Sequence, residues 1–217
     1  MKSFVSLWSA DLLDMGRGID VVDGVADGYH IDIFDGHRAD ELLFGPDFVA
    51  AVRKRTKLPI DVHLMVTDPD HWVPRFIDAG ADMVSVQTAD SPDIVATLGS
   101  IRARGAQASL AVEVHEEVAS AHARDEHVDR YLLMGTAIGI KGVDQDPRTP
   151  QRVAELRALL GDSPKEVFVD GGIRANTVGP LAAAGCHGVI PGSLVYGDAD
   201  PAGAIERLHA LNGEVRR

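Results

Sequence analysis

Short apolar runs alternate along this chain with longer stretches in which apolar residues recur every three or four positions. The short runs have the length of strands, and several are apolar at consecutive positions, which is typical of parallel strands buried on both faces. The longer stretches have the period of amphipathic helices. The predicted strands are 3–8, 28–34, 59–65, 82–87, 108–114, 129–134, 166–170 and 187–192.

One predicted helix follows each strand, and local residue types mark several helix ends. Polar side chains that can accept hydrogen bonds from free backbone N–H groups are the expected N-caps, namely Asp11, Asp70, Ser91 and Thr149. Glycines that tolerate a left-handed backbone are expected at three C-termini, namely Gly80, Gly105 and Gly185. The predicted helices are 11–25, 46–56, 70–79, 91–104, 116–126, 149–160, 174–184 and 201–212.

The strict alternation predicts an α/β fold in which residues 1–217 form a (β/α)8 TIM barrel as a single domain. A length of 217 residues is near the small end of the range for such barrels, and no linker or change in composition marks a second domain. A doubly wound open sheet is the alternative, although it usually contains fewer strands. In a barrel, we expect the functional side chains at the C-terminal ends of the strands.

Composition and charge argue against several classes of partner. The chain carries 33 acidic and 21 basic residues, a formal net charge of -12, whereas nucleic acids and anionic membranes are bound by clustered Lys and Arg. No apolar run approaches ~18 residues, so we expect no membrane span, and the N-terminal segment is predicted as a first strand rather than a signal peptide. The one cysteine, Cys186, cannot form an internal disulfide, which favours a reducing, cytoplasmic location and a buried thiol.

Imidazole and carboxylate side chains lie at the ends of three predicted strands. His30 and Asp32 are two residues apart in one strand and share a face, which we expect to be the barrel interior. His63 takes a matching inward position in the next strand, and Asp170 ends a third. The alternatives are a hydrogen-bonded His–Asp pair in the core and, for Asp170, a helix N-cap, which is weaker because the next helix is expected near Arg174. The four side chains predict a site for one divalent metal cation, with Zn, Fe, Mn and Co all compatible.

Glycine-rich segments follow the last three predicted strands. Backbone N–H groups after strands seven and eight commonly bind phosphate in such barrels, so the segments after these two strands predict a phosphate cradle. The segment 135–146, after strand six, contains Gly139 and Gly142, and we interpret it as a lid over a substrate, with an ordinary surface loop as the alternative. The predicted cradle residues are Gly171, Gly172, Gly192 and Ser193.

Taken in order, these motifs resemble the ribulose-phosphate 3-epimerase family over nearly the whole chain. The family's His-x-Asp-x-Met-Asp-Gly-His motif matches HIDIFDGH at 30–37, with Phe34 in the place of Met. A run of ordered matches is far more specific than any single motif. The other matching segments are SLWSADLLDMG at 6–16, FGP at 44–46, DVHLM at 61–65, DAGADMVSV at 78–86, VDGGI at 169–173 and GS at 192–193.

The resemblance implies a metal-dependent isomerase that epimerises carbon 3 of a ketose phosphate, with ribulose 5-phosphate and xylulose 5-phosphate as the expected pair. It implies that His30, Asp32, His63 and Asp170 bind the cation, which acts as a Lewis acid. Asp32 and Asp170 are then expected to serve as acid and base on opposite faces of an enediolate. Two groups are needed because one base on one face returns the proton to where it came from.

Further site residues follow from the same resemblance. Ser9 is expected to form a hydrogen bond near the reacting oxygens, and Met65 and Met134 are expected to line the site beside the enediolate. The small-molecule partner is a sugar phosphate. Family members are often dimers or larger, so the resemblance also implies a homo-oligomer.

Departures from the family pattern concentrate in the parts expected to contact the sugar. Gln87 stands where the family commonly has His, the loop at 38–41 is highly charged, and Lys141 in the lid is a new candidate phosphate contact. These changes imply a divergent member with a changed substrate, and a tetrulose or hexulose phosphate stays open. A barrel lyase or decarboxylase would want a Lys at a strand end, which is not evident. A non-catalytic sensor would need no paired acid and base.

Overall fold

Residues 1–214 are described by the computed structural model, and their strands follow the predicted ones closely. Each predicted strand is present with both ends within two residues of the prediction. One further strand, of two residues, was not predicted. The strands are β1 (Lys2–Ser6), β2 (Gly28–Asp35), β3 (Leu42–Leu43), β4 (Ile60–Met65), β5 (Met83–Gln87), β6 (Gln107–Val112), β7 (Arg130–Met134), β8 (Glu166–Asp170) and β9 (Gly188–Ile190).

Eight of these strands close into a parallel barrel. β1 pairs with β9 on one side and with β2 on the other, and β2 pairs with β4, so the ring β1-β2-β4-β5-β6-β7-β8-β9 is complete. β3 lies outside the ring as an antiparallel partner of the end of β2. The closed ring confirms the predicted TIM barrel and excludes a doubly wound open sheet, because an open sheet leaves two edge strands unpaired.

The helices pack around the barrel, and the described ones are α1 (Met15–Asp20), α2 (Pro46–Arg55), α3 (Pro69–Asp78), α4 (Ile94–Ala103), α5 (Val118–His122), α6 (Thr149–Leu160), α7 (Val178–Ala183), α8 (Ser193–Tyr196) and α9 (Pro201–Glu214). Most match a predicted helix, and α6 matches at both ends. α1, α5 and α7 are shorter than predicted because turns and other non-helical residues occupy both ends of each predicted segment. The single turn α8, directly after β9, was not predicted.

The predicted helix C-termini are confirmed, whereas the predicted N-caps are wrong. Gly80, Gly105 and Gly185 have φ angles of 110°, 85° and 87°, which a glycine adopts without steric cost. Asp68 and Asp93 are the residues that accept hydrogen bonds from the first turns of α3 and α4, at 3.1 Å each. A proline at the first helical position fixes the first of these caps at the preceding residue. The displaced predictions are Asp11, Asp70, Ser91 and Thr149.

Apolar residues form two cores separated by the barrel wall. The larger core lies between the strands and the helices, and it includes Ile31, Ile33, Val62 and Leu64, the outward neighbours of the predicted metal ligands. The smaller core fills the barrel interior. Its buried members are Phe4, Met83, Ala111, Leu132, Met134, Phe168 and Ile190.

Four predictions about the class of protein have different outcomes. Cys186 is buried as predicted, with 6% of its surface exposed, and burial raises the pKa of its thiol to about 12. Within residues 1–214, no helix has the length and apolar character needed to cross a membrane. The predicted cytoplasmic location and homo-oligomer stay predictions.

Candidate metal centre and active site

Strand register brings the four predicted metal-binding side chains together. In the β2–β4 pair, His30 lies beside Asp61 and Asp32 lies beside His63. Asp170 ends β8, which is separated from β2 by β9 and β1 in the ring. Each of the four predicted side chains offers one ligand atom, and these atoms all lie within 4.8 Å of one another. The strand ends therefore produce one compact His/Asp cluster (His30, Asp32, His63 and Asp170).

Asp32 and Asp170 each face both imidazoles. Oδ1 of Asp32 is 3.2 Å from Nε2 of His30 and 3.6 Å from Nδ1 of His63. Oδ2 of Asp170 is 3.7 Å and 3.8 Å from the same two nitrogens. Oδ2 of Asp32 accepts a hydrogen bond of 3.1 Å from Oγ of Ser6, at the end of β1. The cluster thus directs two nitrogen and two oxygen atoms, all of them possible metal ligands, at one point.

Burial and charge shift the pKa values in this cluster in opposite directions. Burial alone would raise the pKa of Asp32, but His30 and His63 outweigh burial and lower it. Burial, reinforced by the neighbouring Asp32 charge, raises the pKa of Asp170. Burial opposes a charged imidazole at His30, but Asp32 and Asp61 raise its pKa well above the ordinary value. The cluster therefore holds one firmly ionised carboxylate beside one that keeps its proton more readily.

The donor set fits a divalent cation. His63 is fully buried, and neither of its ring nitrogens has a hydrogen-bond partner among residues 1–214. Leaving a buried polar atom unpaired costs ~1–3 kcal/mol, so such atoms are normally satisfied. Because Nδ1 of His63 faces the carboxylates of Asp32 and Asp170, a cation held between the three side chains would provide the missing partner. Two imidazoles and two carboxylates suit Zn, Fe, Mn or Co without discriminating among them.

Three residues close to the cluster were not predicted as site residues: Ser6, Asp61 and Arg130. Oδ2 of Asp61 is 2.9 Å from Nδ1 of His30, and the same carboxylate pairs with Arg130 of β7. For Asp61 the sequence contained the signal, because it shares a strand face with His63 two residues on. For Arg130 the signal was a basic residue at the start of β7, whose remaining residues, YLLM, are largely apolar.

A cavity of about 340 Å³ opens above the His/Asp cluster at the C-terminal end of the barrel. This volume lies in the ~300–1,000 Å³ range of small-molecule sites. Asp32 and Asp170 line the cavity, whereas His30 and His63 are fully buried and do not. The other predicted site residues all line it: Ser9, Met65, Met134, Gly139, Gly142, Gly171, Gly172, Gly192 and Ser193.

At two positions after β8, both the backbone conformation and the close neighbours require glycine. Gly171 and Gly172 have φ angles of 92° and 66°, in the left-handed region. A Cβ atom at Gly172 would lie 2.7 Å from the backbone of Gln145, and one at Gly171 would lie 2.9 Å from the backbone nitrogen of Thr136. The loops after β7 and β8 therefore touch through their backbones, and no side chain fits between them.

Comparison with known proteins identifies the family. A model of the ribulose-phosphate 3 epimerase family matches residues 3–196. The chain belongs to this family. The ribulose-phosphate 3-epimerase of Bacillus subtilis is 34% identical over 212 residues, which cover 96% of this chain and 98% of that protein. The corresponding enzyme of Rhodobacter capsulatus is 35% identical over 197 residues, covering 90% of this chain and 86% of that protein. Membership makes the protein an epimerase, within the isomerase class.

A solved structure supports the fold and nothing further. The 3-hexulose-6-phosphate synthase from Salmonella typhimurium superposes with a TM-score of 0.70, covering 99% of this chain and 100% of that chain. The two sequences are 23% identical. At this level of identity the likeness establishes the barrel architecture but not a shared reaction, because unrelated activities are found on the same fold.

Two residues that depart from the family pattern do reach the cavity. Lys141 lines it from the segment 137–143, which we call the lid segment, and its Nζ lies 2.5 Å from the carbonyl oxygen of Trp8 and 4.0 Å from the centroid of the Trp8 ring. Phe34 also lines the cavity and packs on Trp8 with ring centroids 5.2 Å apart. In this epimerase the ammonium of Lys141 thus joins the lid segment to the turn that follows β1.

The other departures, the loop at 38–41 and Gln87, are not among the described residues that line the cavity. Arg38 pairs with Asp90 and donates a hydrogen bond of 2.7 Å to Glu113. The expected contact between the charges of the loop at 38–41 and the sugar stays a prediction. Gln87 is fully buried, and no residue that the structure describes forms a hydrogen bond with its amide oxygen or amide nitrogen. The charged loop at 38–41 is held by the ion pairs of Arg38 with Asp90 and Glu113, which lie just after β5 and β6.

Proposed function

We propose that this epimerase inverts carbon 3 of a ketose phosphate, using a divalent cation held by His30, Asp32, His63 and Asp170. The observation that carries the proposal is the placement of Asp32 and Asp170, which reach one cavity from β2 and β8. These strands are separated by β9 and β1, so the two carboxylates approach the cavity from different sides. Inversion needs such a pair, because the proton leaves one face of the carbon and returns to the other.

In this proposal one aspartate removes the proton from carbon 3 and the other, protonated, delivers a proton to the opposite face. Their roles exchange when the reaction runs in reverse. The hydrogen bond from Ser6 to Oδ2 of Asp32 holds that carboxylate in a fixed orientation. When bound, a divalent cation supplies Lewis-acid stabilisation of the negative charge that develops on the substrate oxygens.

The phosphate group is assigned to the glycine-rich edge of the cavity. Gly171, Gly172, Gly192 and Ser193 line the cavity after β8 and β9. Phosphate sites in TIM barrels commonly lie after the seventh and eighth strands, close to a short extra helix. The helical turn α8, which begins at Ser193, has this place in the chain. The bare backbone at these glycines lets an anion approach N–H groups closely.

Apolar side chains and the lid segment enclose the reacting end of the cavity. Met65 and Met134 are almost fully buried and line the cavity together with Asp32 and Asp170. In this function they would shield the charged intermediate from water, which strengthens every electrostatic interaction inside the site. Ser9 lies beside Gly192, where its hydroxyl can bind the substrate.

The ribulose 5-phosphate and xylulose 5-phosphate pair is the leading substrate, because the similar curated relatives are named for ribulose phosphate. Lys141 and Phe34 alter the cavity wall, so a tetrulose or hexulose phosphate is the second candidate. Family membership favours an epimerase over a barrel lyase that uses the same phosphate cradle.

A panel of ketose phosphates incubated in D2O and followed by NMR tests both the reaction and the substrate. We expect deuterium to enter at carbon 3 with formation of the C3 epimer, fastest for ribulose 5-phosphate. If exchange is fastest on a tetrulose or hexulose phosphate, the proposed reaction is supported and the proposed substrate is replaced by that sugar phosphate. No exchange on any member, with divalent cation added, would overturn the proposed function.

A further inference from the structure

A layer of buried polar residues lies inside the barrel, on the side of the His/Asp cluster away from the cavity. Asp61, Ser85, Ser109 and Arg130, which we call the buried polar layer, come from four consecutive strands of the ring, β4 to β7. Three of these residues have no exposed surface and Arg130 has 2%. A charged arginine is rarely buried to this degree without a specific partner. The layer therefore needs an explanation beyond filling the barrel.

The guanidinium of Arg130 is held by apolar contacts as well as polar ones. It lies 5.5 Å from the ring centroid of Phe4 and 4.8 Å from that of Phe168, and the two rings pack edge to face. Its Nε donates to Oγ of Ser109 at 3.3 Å, and its second terminal nitrogen pairs with Asp61. The two aromatic rings, Ser109 and Asp61 together fix the orientation of the guanidinium, because this planar group has few alternative orientations that keep all of these contacts.

Asp61 is fixed in turn by partners on both carboxylate oxygens. Oδ1 accepts a hydrogen bond of 2.9 Å from Oγ of Ser85. Oδ2 meets Arg130 and lies 2.9 Å from Nδ1 of His30. An ionised carboxylate can only accept hydrogen bonds, so Nδ1 of His30 must be the donor in this contact. The Nε2 nitrogen of His30 is then the one that faces the cluster.

The two histidines of the cluster differ in this respect. Nδ1 of His30 is held by Asp61, while its Nε2 lies 3.2 Å from Asp32 and 3.7 Å from Asp170. Within the described part of the chain, His63 has no hydrogen-bond partner on either nitrogen. Metal-binding histidines usually donate their second ring N–H to a carboxylate or carbonyl, which fixes the ring orientation and the tautomer. In this molecule His30 has that support and His63 does not.

We propose that Arg130 and Asp61 are positioning residues that hold His30 with Nε2 directed at the metal centre. The inference rests on the proposed function, because it takes the cluster to be a metal site. Arg130 touches neither the cluster nor the cavity, and it acts only through Asp61. Its role is to hold the Asp61 carboxylate immobile, so that Oδ2 of Asp61 accepts the hydrogen bond from Nδ1 of His30 in one fixed orientation.

The test replaces the buried pair by apolar residues, because loss of one partner alone leaves an unpaired buried charge and risks unfolding. The double variant Asp61→Leu/Arg130→Met removes the pair, and Arg130→Lys keeps the charge. Arg53→Met is the matched control, since Arg53 pairs with Asp82 outside the barrel interior. Metal-stripped proteins are titrated with Co²⁺ by calorimetry, and the visible spectrum of bound Co²⁺ and the Tm are recorded.

We expect the double variant to bind Co²⁺ roughly 10–100-fold more weakly, which is the usual loss when the partner of a metal-binding His is removed. Its Co²⁺ spectrum should change while the protein stays folded. Arg130→Lys should restore most of the affinity, and Arg53→Met should lower the Tm without changing the affinity. A folded double variant with wild-type Co²⁺ affinity and spectrum would overturn the proposal.

A second measurement separates this proposal from the metal site on which it rests. Long-range ¹H–¹⁵N NMR of the metal-stripped protein reports whether the proton on Nδ1 of His30 is protected from exchange with water. Protection in the wild type and in Arg130→Lys, but not in the double variant, supports the positioning role even if Co²⁺ fails to bind. An unprotected Nδ1 proton in the folded wild type would overturn the role directly.

Discussion

The centre of the barrel and the rim of the cavity are built in different ways. In the centre, His30, Asp32 and His63 stand on strands, are almost fully buried, and take their positions from the register between β2 and β4. At the rim, Arg38 and Lys141 stand on loops and are partly exposed. Arg38 is held by ion pairs, and Lys141 by a hydrogen bond and a cation–π contact. The strands fix the kind of chemistry, and the loops adapt it to a substrate.

The rim nevertheless forms one connected surface. A Cβ atom at Gly139 in the lid segment would lie 2.3 Å from Cβ of Ala39 in the charged loop, so the two loops are in close contact. Arg38, next to Ala39, ties the charged loop to Asp90 and Glu113. A change at the rim can therefore alter how the cavity is covered without moving the residues at the centre of the barrel. Substitutions at the centre and at the rim should have different effects.

Substitution of a carboxylate at the centre should have the largest effect. We expect Asp170→Asn to keep the fold and to lower kcat for epimerisation by roughly 10²–10⁴-fold, because an amide can neither take nor deliver the proton. Asp144→Asn is the matched control, since its carboxylate is fully exposed in the loop after β7. The measurement is deuterium entry at carbon 3, and wild-type exchange by Asp170→Asn would contradict the two-aspartate assignment.

Removal of the cation should affect the centre almost as strongly. Chelation is expected to abolish turnover and to lower the Tm by ~5–10 °C, because a ligand at 100 times its Kd contributes ~2.7 kcal/mol and 1 kcal/mol shifts the Tm by ~2–4 °C at this size. Added Zn²⁺, Mn²⁺, Fe²⁺ or Co²⁺ should restore both readouts. Full activity in a sample shown by elemental analysis to be free of metal would refute the cation role.

The success of prediction from sequence follows the same division between centre and rim. Period-two alternation placed His30, Asp32 and His63 on inward faces, and strand register then had no freedom to separate them. Gly171 and Gly172 were found because glycine at a strand end marks a tight backbone. These features depend on local sequence or on neighbouring strands, which the alternating pattern specifies.

Contacts between residues far apart in the chain could not be predicted from the sequence. Asp61 and Arg130 are 69 residues apart, and their pairing depends on the closure of the barrel. The observed N-caps lie within one helical turn of the predicted ones, as with Asp68 in place of Asp70. The spacing of apolar residues does not locate a helix end more accurately than this. The partners of Arg38 in the loop at 38–41, Asp90 and Glu113, were also missed, because they follow β5 and β6 and lie more than 50 residues along the chain.

A single methyl group at the phosphate edge should have an intermediate effect. Gly172→Ala places a Cβ atom 2.7 Å from the backbone of Gln145 at a φ of 66°, so the loops after β7 and β8 must move apart. Displacement by about 1 Å can cost on the order of 10²-fold in rate, and we expect kcat/KM to fall roughly 10–100-fold. Gly179→Ala, with open space around a helical glycine, is the control and should leave kcat/KM unchanged.

Loss of the lid contact should change binding more than chemistry. Lys141→Met removes the hydrogen bond to the Trp8 carbonyl and the cation over the Trp8 ring. We expect KM to rise about three- to tenfold with kcat nearly unchanged, since a partly exposed charged contact contributes ~1 kcal/mol. Lys57→Met, before β4 at the opposite end of the barrel, should leave KM unchanged. A fall in kcat as large as that of Asp170→Asn would place Lys141 in the centre.

The rim should finally show a pH dependence that leaves turnover untouched. Burial raises the pKa of Asp90 to about 7 against the opposing charge of Arg38, whereas an unfolded Asp titrates near ~3.9. Between these values the folded protein holds a proton that the unfolded chain has released, so the free energy of unfolding should fall as pH rises from about 4 to about 7. The slope is at most about 1.4 kcal/mol per pH unit, and Asp90→Asn should remove it. Urea unfolding of both proteins at several pH values measures the difference. Equal slopes would show that Asp90 is already ionised against Arg38 throughout this range, and the charged loop would then be held by a permanent ion pair.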